Sequence, residues 1–234
     1  MLSAPAPPPR LPLLETRGLE FEYPGGFRLG PVDLRLHAGE LAALSGEPGV
    51  GKSTLLRLLA ARLPAQAGTL LFQQEPLTWS AGGLAAWRRR LGVLDQSTTL
   101  PAGRSTRDLM RLSLAARGLG GRDRRREAMR ILGETGQLTR ADLPCGSLST
   151  GQSRWAQLAL ALCGLPDLLL LDEPFAHLSP DHQDELLAFL VRQSSRGTAI
   201  LFCLHGDRPR LPEGTRRLRL EGGRLEGDGQ GWRR

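Results

Sequence analysis

Two segments near the start of the chain alternate between apolar and polar residues. The alternation runs through residues 13–23 and again through residues 32–37. Because successive side chains of a strand point to opposite faces, this period is typical of half-buried strands. Gly25 and Gly26 lie between the two segments and favour a turn. The pattern therefore predicts two strands of an antiparallel sheet.

Short apolar runs follow, each about the length of one buried strand. They occupy residues 41–45, 69–72, 91–94, 168–171 and 198–203. Stretches with helical patterning separate these runs, and the first is residues 53–63, which is rich in leucine. Strands that alternate with helices and are buried on both faces are typical of a parallel sheet. The predicted fold class is therefore α/β, with a mainly parallel sheet and an antiparallel β subdomain.

The middle of the chain has a different pattern. No strand-like run appears between Asp95 and Ser147, whereas residues 105–118 and 122–136 both have helical patterning. We therefore expect a helical subdomain over about residues 97–164.

These patterns predict a single domain over residues 13–226. Its core would consist of residues 13–95 and 165–226, and a hairpin around Gly222 and Gly223 would form its last part. The proline-rich residues 1–12 are expected to be a disordered leader, and residues 227–234 a frayed tail.

Composition limits the cellular setting more than the fold. The chain has 234 residues and three cysteines. Three is an odd number, so the cysteines cannot all form disulfides with one another, and each lies in or beside an apolar segment. This is typical of reduced thiols in a cytosolic protein. The longest apolar stretch, residues 155–171, is interrupted by Gly164, Pro166 and Asp167, so we expect no membrane span.

The basic charge of the chain is carried almost entirely by arginine. A net charge of +7 is compatible with nucleic acid or an anionic membrane surface, but an arginine-heavy composition is the simpler explanation. The arginine cluster of residues 122–130 is likewise more typical of a solvated helix face. Of the 31 basic residues only Lys52 is a lysine, which indicates a position where guanidinium does not serve.

Lys52 lies inside GEPGVGKS, residues 46–53, between a strand and a helix. Glycines let such a loop point its backbone N–H groups at phosphate oxygens, and the helix N-terminus adds its positive dipole end. We expect Lys52 to bridge the β and γ phosphates of a nucleotide, Ser53 to bind Mg²⁺ and Thr54 to support the α-phosphate. The expected ATP-binding residues here are Gly46, Glu47, Pro48, Gly49, Val50, Gly51, Lys52, Ser53 and Thr54.

The apolar run of residues 168–171 ends in two acids, Asp172 and Glu173. Carboxylates at the tip of a buried strand cost stability, so a chemical role is favoured over a simple passage from strand to loop. Asp172 is the expected Mg²⁺ ligand, and Glu173 the expected base that polarises the attacking water.

A third motif precedes a predicted helix. It consists of Leu148, Ser149, Thr150, Gly151 and Gln152. Ser149 and Gly151 can offer a hydroxyl and backbone amides to a phosphate, although alone such a segment is a common helix cap. Taken in order, GEPGVGKS, LSTGQ and LLLLDEP resemble the ATP-binding cassette (ABC) family, whose signature sequence is close to LSGGQ. The resemblance implies a P-loop NTPase fold with a RecA-like sheet.

Three further residues match the pattern of that family. Gln96 resembles the glutamine that contacts Mg²⁺ and the attacking water, and His205 resembles the histidine that contacts the γ-phosphate. Tyr23 resembles the aromatic residue that stacks on adenine. The resemblance thus implies Glu173, His205 and Gln96 as catalytic residues, and Ser53, Gln96 and Asp172 as metal ligands.

The chain also departs from the pattern of the family. Ser179 stands where an aspartate is usual, and Trp155 and Leu160 replace arginines. A proline-rich segment follows His205 where many relatives have a helix. Ser179 puts communication between the two ATP sites in doubt, and the departures together mark a divergent member.

The resemblance implies how such a chain works. Two copies form a head-to-tail homodimer that traps two ATP molecules, each between the phosphate loop of one chain and the LSTGQ segment of the other. Hydrolysis would drive a separate transmembrane permease-type subunit, which would hold this chain on the cytoplasmic face of the membrane. Residues 85–93 resemble most the branch of lipoprotein release, macrolide efflux and cell division.

Two alternatives remain at this point. A nucleic-acid-linked ABC ATPase would account for the net charge, but the coiled coils, zinc-binding cysteines or second cassette of such proteins are missing from the sequence. A regulatory ATP-binding subunit with weak hydrolysis would account for Ser179 and the altered signature helix.

Overall fold

The computed structural model describes residues 11–204 and 210–226, which form two sheets surrounded by helices. The strands are β1 (Leu14–Glu22), β2 (Arg28–Leu36), β3 (Leu41–Ser45), β4 (Ala67–Phe72), β5 (Glu75–Pro76), β6 (Leu91–Leu94), β7 (Leu168–Leu171), β8 (Ala199–Cys203), β9 (Arg216–Glu221) and β10 (Arg224–Glu226). The helices are α1 (Lys52–Leu59), α2 (Ala81–Arg90), α3 (Thr106–Ala116), α4 (Gly121–Glu134), α5 (Thr150–Ala161) and α6 (Pro180–Ser195).

The larger sheet is parallel except at one edge. Its strand order is β10-β9-β3-β8-β7-β6, and only β10 pairs antiparallel with its neighbour. Every residue of β3, β7 and β8 is buried, which explains their continuous apolar sequences. The α/β prediction is confirmed. The carboxyl ends of β3, β6 and β7 lie at one edge of this sheet, and the loops that follow them carry the predicted site residues.

The smaller sheet is antiparallel, with the order β2-β1-β4-β5. Leu34 and Leu36 of β2 are buried, as the alternation predicts. Leu14 and Leu19 of β1 are buried too, although shifts of register on either side of Leu19 interrupt the alternation there. They pack together with α1 and one face of the parallel sheet into a single apolar core. This core fixes the antiparallel sheet beside the loop that follows β3.

A second apolar core covers the other face of the parallel sheet. Met110 and Leu114 of α3 and Ile131 and Leu132 of α4 are buried in it together with residues of α5 and α6. The prediction of a helical segment without strands is confirmed, because residues 95–147 contain only one isolated bridge, between Ser105 and Pro144. The division of the domain into core and helical subdomain stays a prediction.

Two element boundaries differ from the prediction by four residues: β2 begins at Arg28 and not at residue 32, and α1 ends at Leu59 and not at residue 63. Pro64 disfavours a helical conformation of the residue before it, and Ala61 already has a left-handed backbone with φ 50°. The predicted hairpin is observed as β9 and β10.

Ten residues of the predicted leader and the whole predicted tail, residues 1–10 and 227–234, lie outside the described residues. Within residues 11–204 and 210–226, no helix has the length and apolar character that crossing a membrane requires.

Candidate nucleotide-binding site

The loop between β3 and α1 has a shape that requires glycine at two places. A Cβ at Gly46 would lie 2.5 Å from the carbonyl oxygen of Leu220. A Cβ at Gly51, where φ is 107°, would lie 2.8 Å from the ring of Phe27. Only glycine therefore lets the backbone turn tightly between β9 and the β subdomain and still lead into α1.

Lys52 is the first residue of α1, and only 6% of its surface is exposed. Its Nζ donates hydrogen bonds to the carbonyl oxygens of Gly46 (2.7 Å) and Glu47 (2.9 Å). An ammonium has three N–H donors, so these bonds leave one donor of Lys52 for a ligand. The single lysine thus closes its own loop at the positive end of the α1 dipole.

A cleft of about 460 Å³ opens beside this loop. The predicted residues that line it are Tyr23, Pro48, Gly49, Gly51, Lys52, Ser53, Thr54, Gln96 and Glu173. Gly46, Glu47 and Val50 belong to the loop without lining the cleft. The β subdomain, the glycine loop and the ends of β6 and β7 therefore all contribute to one concave site.

Aromatic rings form one side of the cleft. Tyr23 packs edge-on against Phe21 with ring centroids 4.8 Å apart, and the ring of Phe27 lies 6.3 Å away. The hydroxyl of Tyr23 lies 3.4 Å from Oγ1 of Thr54. A planar apolar surface next to the phosphate loop suits a purine base. Phe27 was not predicted as a site residue, although an aromatic side chain just after Gly25 and Gly26 is a usable signal.

Asp172 directly follows β7 and is 96% buried, since only 4% of its surface is exposed. Its backbone N–H donates to the carbonyl of Leu94, but Oδ1 of its side chain has no hydrogen-bond partner. An unpaired buried carboxylate oxygen is costly, and a hard cation would satisfy it. Hydroxyl and carboxylate oxygens such as those of Ser53 and Asp172 are the ligand types that Mg²⁺ takes, and the ion usually completes its shell with phosphate and water. The described residues contain no cluster of three or more His, Cys, Asp or Glu side chains that could hold an ion unaided.

Glu173 and Gln96 both line the cleft and contact each other. Nε2 of Gln96 donates to Oε2 of Glu173 at 3.1 Å, so the loop after β6 and the end of β7 are joined at the site. Glu173 has a left-handed backbone with φ 48°, which is unfavourable for a residue with a side chain. The neighbouring contacts must stabilise this conformation, and they hold the carboxylate at the edge of the cleft.

The LSTGQ segment starts α5. Oγ of Ser149 accepts from the N–H of Gln152, and the Gln152 side chain accepts from the N–H of Ser149 in a reciprocal capping box. Ser149 and Thr150 are exposed, and Leu148, Gly151 and Gln152 are half-buried. None of the five lines the cleft of its own chain. The cap therefore presents an exposed helix N-terminus that is not part of the cleft of its own chain.

His205 lies outside the described residues, so its predicted contact with the γ-phosphate stays a prediction. Arg154 was not predicted as a site residue. Its Nη2 donates to the backbone carbonyl of Glu173 at 3.3 Å. Burial lowers the pKa of the Arg154 guanidinium, and the negative charges of Glu173 and Asp172 oppose that shift. Burial also raises the pKa of the Cys203 thiol, which lies near Asp172.

Comparison with known proteins places the same residues in a common sequence pattern. The sequence model of the family described as ABC transporter matches residues 29–176, a range that contains the glycine loop, Gln96, the LSTGQ segment, Asp172 and Glu173. The lipoprotein-releasing system ATP-binding protein LolD 1 of Caulobacter vibrioides is 36% identical over 222 residues, which cover 91% of this chain and 94% of that protein. The hemin import ATP-binding protein HmuV of Streptomyces coelicolor is 36% identical over 205 residues, which cover 85% of this chain and 72% of that protein.

A solved structure supports the fold independently. The dimeric structure of MJ0796, a bacterial ABC transporter cassette, superposes with a TM-score of 0.81 at 21% identity. The superposition covers 92% of this chain and 97% of that one. At 21% identity this similarity establishes the fold and does not by itself establish which reaction the cleft supports.

Proposed function

This chain belongs to the ABC transporter family, and from that membership we propose that it binds and hydrolyses ATP to drive a separate membrane partner. The observation that carries the proposal is the single cleft on which Lys52, Ser53, Gln96 and Glu173 meet. Hydrolysis requires both a phosphate-binding loop and a carboxylate that can act as a base, whereas the stability of the fold does not require the two to lie together.

Each residue has a role in this proposal. Lys52 and the loop amides bind the β and γ phosphates, and Tyr23 stacks on the base. Ser53 and Asp172 hold Mg²⁺ with Gln96 nearby, and the ion neutralises charge on the phosphates. Glu173 polarises the attacking water, and Gln96 orients the Glu173 carboxylate through their hydrogen bond of 3.1 Å. The proposed role of His205 is to contact the γ-phosphate.

We further propose that the working form is a head-to-tail homodimer. The LSTGQ segment does not line the cleft of its own chain, yet its exposed cap at Ser149 has the geometry of a phosphate site. A two-fold axis can place this cap over the cleft of a second copy, and the same axis completes the other site. Two ATP molecules would then lie at the dimer interface.

A groove gives the membrane partner a docking surface. This arginine groove, of about 430 Å³, is lined by Arg62, Arg88 and Arg117 together with Leu91, Val93 and Leu160. Burial lowers the pKa of Arg62, and the nearby positive charges of Arg57 and Arg88 add to the effect. Arg62 is ion-paired with Asp95, and the Arg117 guanidinium donates to the backbone carbonyls of Arg89 and Leu91, so the exposed Arg88 is the charge most available to a partner. An exposed positive charge beside apolar side chains favours an amphipathic segment that carries a carboxylate. Such a segment, exposed by the partner at the membrane surface, would hold this chain at the cytoplasmic face.

The chain can also be assigned to a branch within the family. Our proposal is the branch of lipoprotein release, macrolide efflux and cell division, supported by the pattern of residues 85–93 and the similarity to LolD 1. HmuV, which is named for hemin import, has the same identity of 36%. Overall identity therefore does not separate release from import, and the partner must supply the distinction.

The nucleic-acid alternative has little support from the arginine cluster. Arg126 pairs with Asp123, and Arg130 pairs with both Glu127 and Glu134 along the same helix. These ion pairs neutralise much of the charge on α4, as expected for a solvated helix face.

The test of the proposed function is ATP turnover by the purified chain and by its Glu173→Gln variant. The wild-type chain should release phosphate from ATP in the presence of Mg²⁺. The variant should bind ATP with unchanged affinity but turn over about a hundredfold more slowly, because an amide cannot polarise the water. It should also accumulate as an ATP-bound dimer in light scattering. Unchanged turnover by the variant would show that another group acts as the base, and a wild-type chain without turnover would disprove the ATPase assignment.

A further inference from the structure

A short series of hydrogen bonds connects the arginine groove to Glu173. Nε2 of Gln157 donates to the carbonyl of Thr98 at 2.7 Å. Nη1 of Arg154 donates to Oε1 of Gln157 at 3.2 Å, and Nη2 of Arg154 donates to the carbonyl of Glu173 at 3.3 Å. Two side chains of α5 thus bridge the loop after β6 and the residue after β7.

The two ends of this series lie in different places. Thr98 and Gln157 line the arginine groove. Glu173 lines the nucleotide cleft, where its carboxylate is bonded to Gln96. Gln96 and Thr98 belong to the same loop, so the contacts form a closed ring from the groove to the cleft and back. A displacement of Thr98 or Gln157 therefore changes contacts of Glu173 by two routes.

The central guanidinium is well suited to this connection. Arg154 is half-buried, and it holds two acceptors at once because its N–H groups diverge in a planar fork. Burial lowers the pKa of Arg154, and the charges of Glu173 and Asp172 favour its charged form. A charged donor in a partly desolvated place makes a stronger hydrogen bond than it would in water.

The bond at the Glu173 carbonyl acts where the backbone is strained. Glu173 has a φ of 48°, and its side-chain direction depends on that conformation. A donor fixed on the carbonyl stabilises the left-handed backbone and with it the position of the carboxylate. Without that donor the backbone can relax, and the carboxylate then leaves the position facing the attacking water.

We propose that Gln157 and Arg154 are positioning residues that transmit occupancy of the arginine groove to the catalytic carboxylate of Glu173. This inference rests on the proposed function, because it assumes that Glu173 acts on ATP. An occupant of the groove contacts Thr98 and Gln157 and displaces the Gln157 side chain. This displacement alters the hydrogen bond between Gln157 and Arg154, and with it the hydrogen bond from Arg154 to the Glu173 carbonyl. Turnover then depends on docking although no docked atom reaches the cleft.

Steady-state kinetics of substituted chains test the relay. Gln157→Leu removes both hydrogen bonds with little change in volume, and Arg154→Gln removes the donor to Glu173. Each should lower kcat for ATP about tenfold with KM unchanged, and the double variant should be no worse than Arg154→Gln alone, because both break one connection. Ser153→Ala, on the same helix, should leave both constants unchanged.

Thermal unfolding separates positioning from general damage. The variants should unfold within a few degrees of the wild-type chain, since each removes hydrogen bonds of half-buried groups and little packing. Additive losses in kcat, or a fall in kcat matched by an equal rise in KM, would overturn the relay. Should Arg154→Gln fail to fold, Gln157→Leu alone still decides, because an unchanged kcat in that variant contradicts the proposal.

A chemical probe in the groove tests transmission directly. The three native cysteines are buried, so a single introduced surface cysteine can be alkylated selectively. N-benzylmaleimide on Arg88→Cys, at the groove, should change kcat about threefold or more, whereas the same adduct on Arg89→Cys, which does not line the groove, should not. In the Gln157→Leu background the effect at position 88 should disappear. An adduct without effect, or an equal effect in that background, would overturn the relay while ATP turnover by the wild-type chain would leave the proposed function standing.

Discussion

At the scale of single residues, the chain uses lysine only where the shape of the cation matters. Lys52 is buried among backbone carbonyls, and its Nζ has two acceptors within 2.9 Å. Arginines elsewhere serve as ion-pair partners at the surface or as forks between two acceptors, as Arg154 does. The scarcity of lysine therefore reflects a difference in geometry, because the charge is the same.

Lys52→Arg should lower ATP turnover about a hundredfold, since a wide guanidinium cannot occupy the loop and still direct a donor at the phosphates. Phosphate release and ATP affinity are the measurements. Arg57→Lys, the reverse exchange at an exposed position of the same helix, should change neither. Normal hydrolysis by Lys52→Arg would show that charge alone suffices at this position.

At the scale of elements, the parallel strands were the most predictable part of the chain. β6 and β7 begin and end where the apolar runs do, because a strand buried on both faces must be apolar throughout. The end of α1 was missed because the effect of Pro64 acts through the residue before it and interrupts no apolar pattern. The contacts of Arg154 were not predictable either. Arg154 bonds to Glu173, 19 residues away, and Gln157 bonds to Thr98, 59 residues away, and only the packing of α5 against the sheet brings these residues together.

Cys163, just after α5, gives this region a dependence on pH. Burial raises the pKa of its thiol to about 11, from 9.0. At pH 8 the thiol is largely neutral in both the folded and the unfolded chain. As the pH rises from 9 to 11, the unfolded chain loses the proton first, so folding loses up to about 3 kcal/mol from this group.

Urea unfolding at pH 8 and pH 10.5 measures this loss. Cys163→Ala is less stable than the wild-type chain at pH 8 because it leaves a small cavity, but its stability should fall less between the two pH values. Each chain is compared with itself at pH 8, so the cost of the cavity cancels from the change in the free energy of unfolding. Equal losses in both chains would mean that Cys163 ionises as easily folded as unfolded.

At the scale of the whole molecule, the proposed ATP site is divided between two surfaces of the chain, the cleft and the exposed cap of α5. The cleft gathers Lys52, Ser53, Gln96 and Glu173, while Ser149 at the start of α5 is exposed and does not line it. The motifs in the sequence predicted both parts, and the resemblance implied that they meet only across a dimer. A substitution in the cap should therefore disturb dimer formation and leave the cleft of the same chain intact.

Ser149→Asp distinguishes these two surfaces. Aspartate caps a helix as well as serine does, so α5 should remain folded, but its negative charge would repel the phosphates of ATP bound to a second chain. In a Glu173→Gln background, this variant should bind ATP as a monomer with unchanged affinity and fail to form the ATP-dependent dimer in light scattering. Ser149→Asn, which caps without charge, should still dimerise. Weaker ATP binding by the Ser149→Asp monomer would place Ser149 in the site of its own chain, and normal dimerisation would exclude the cap from the interface.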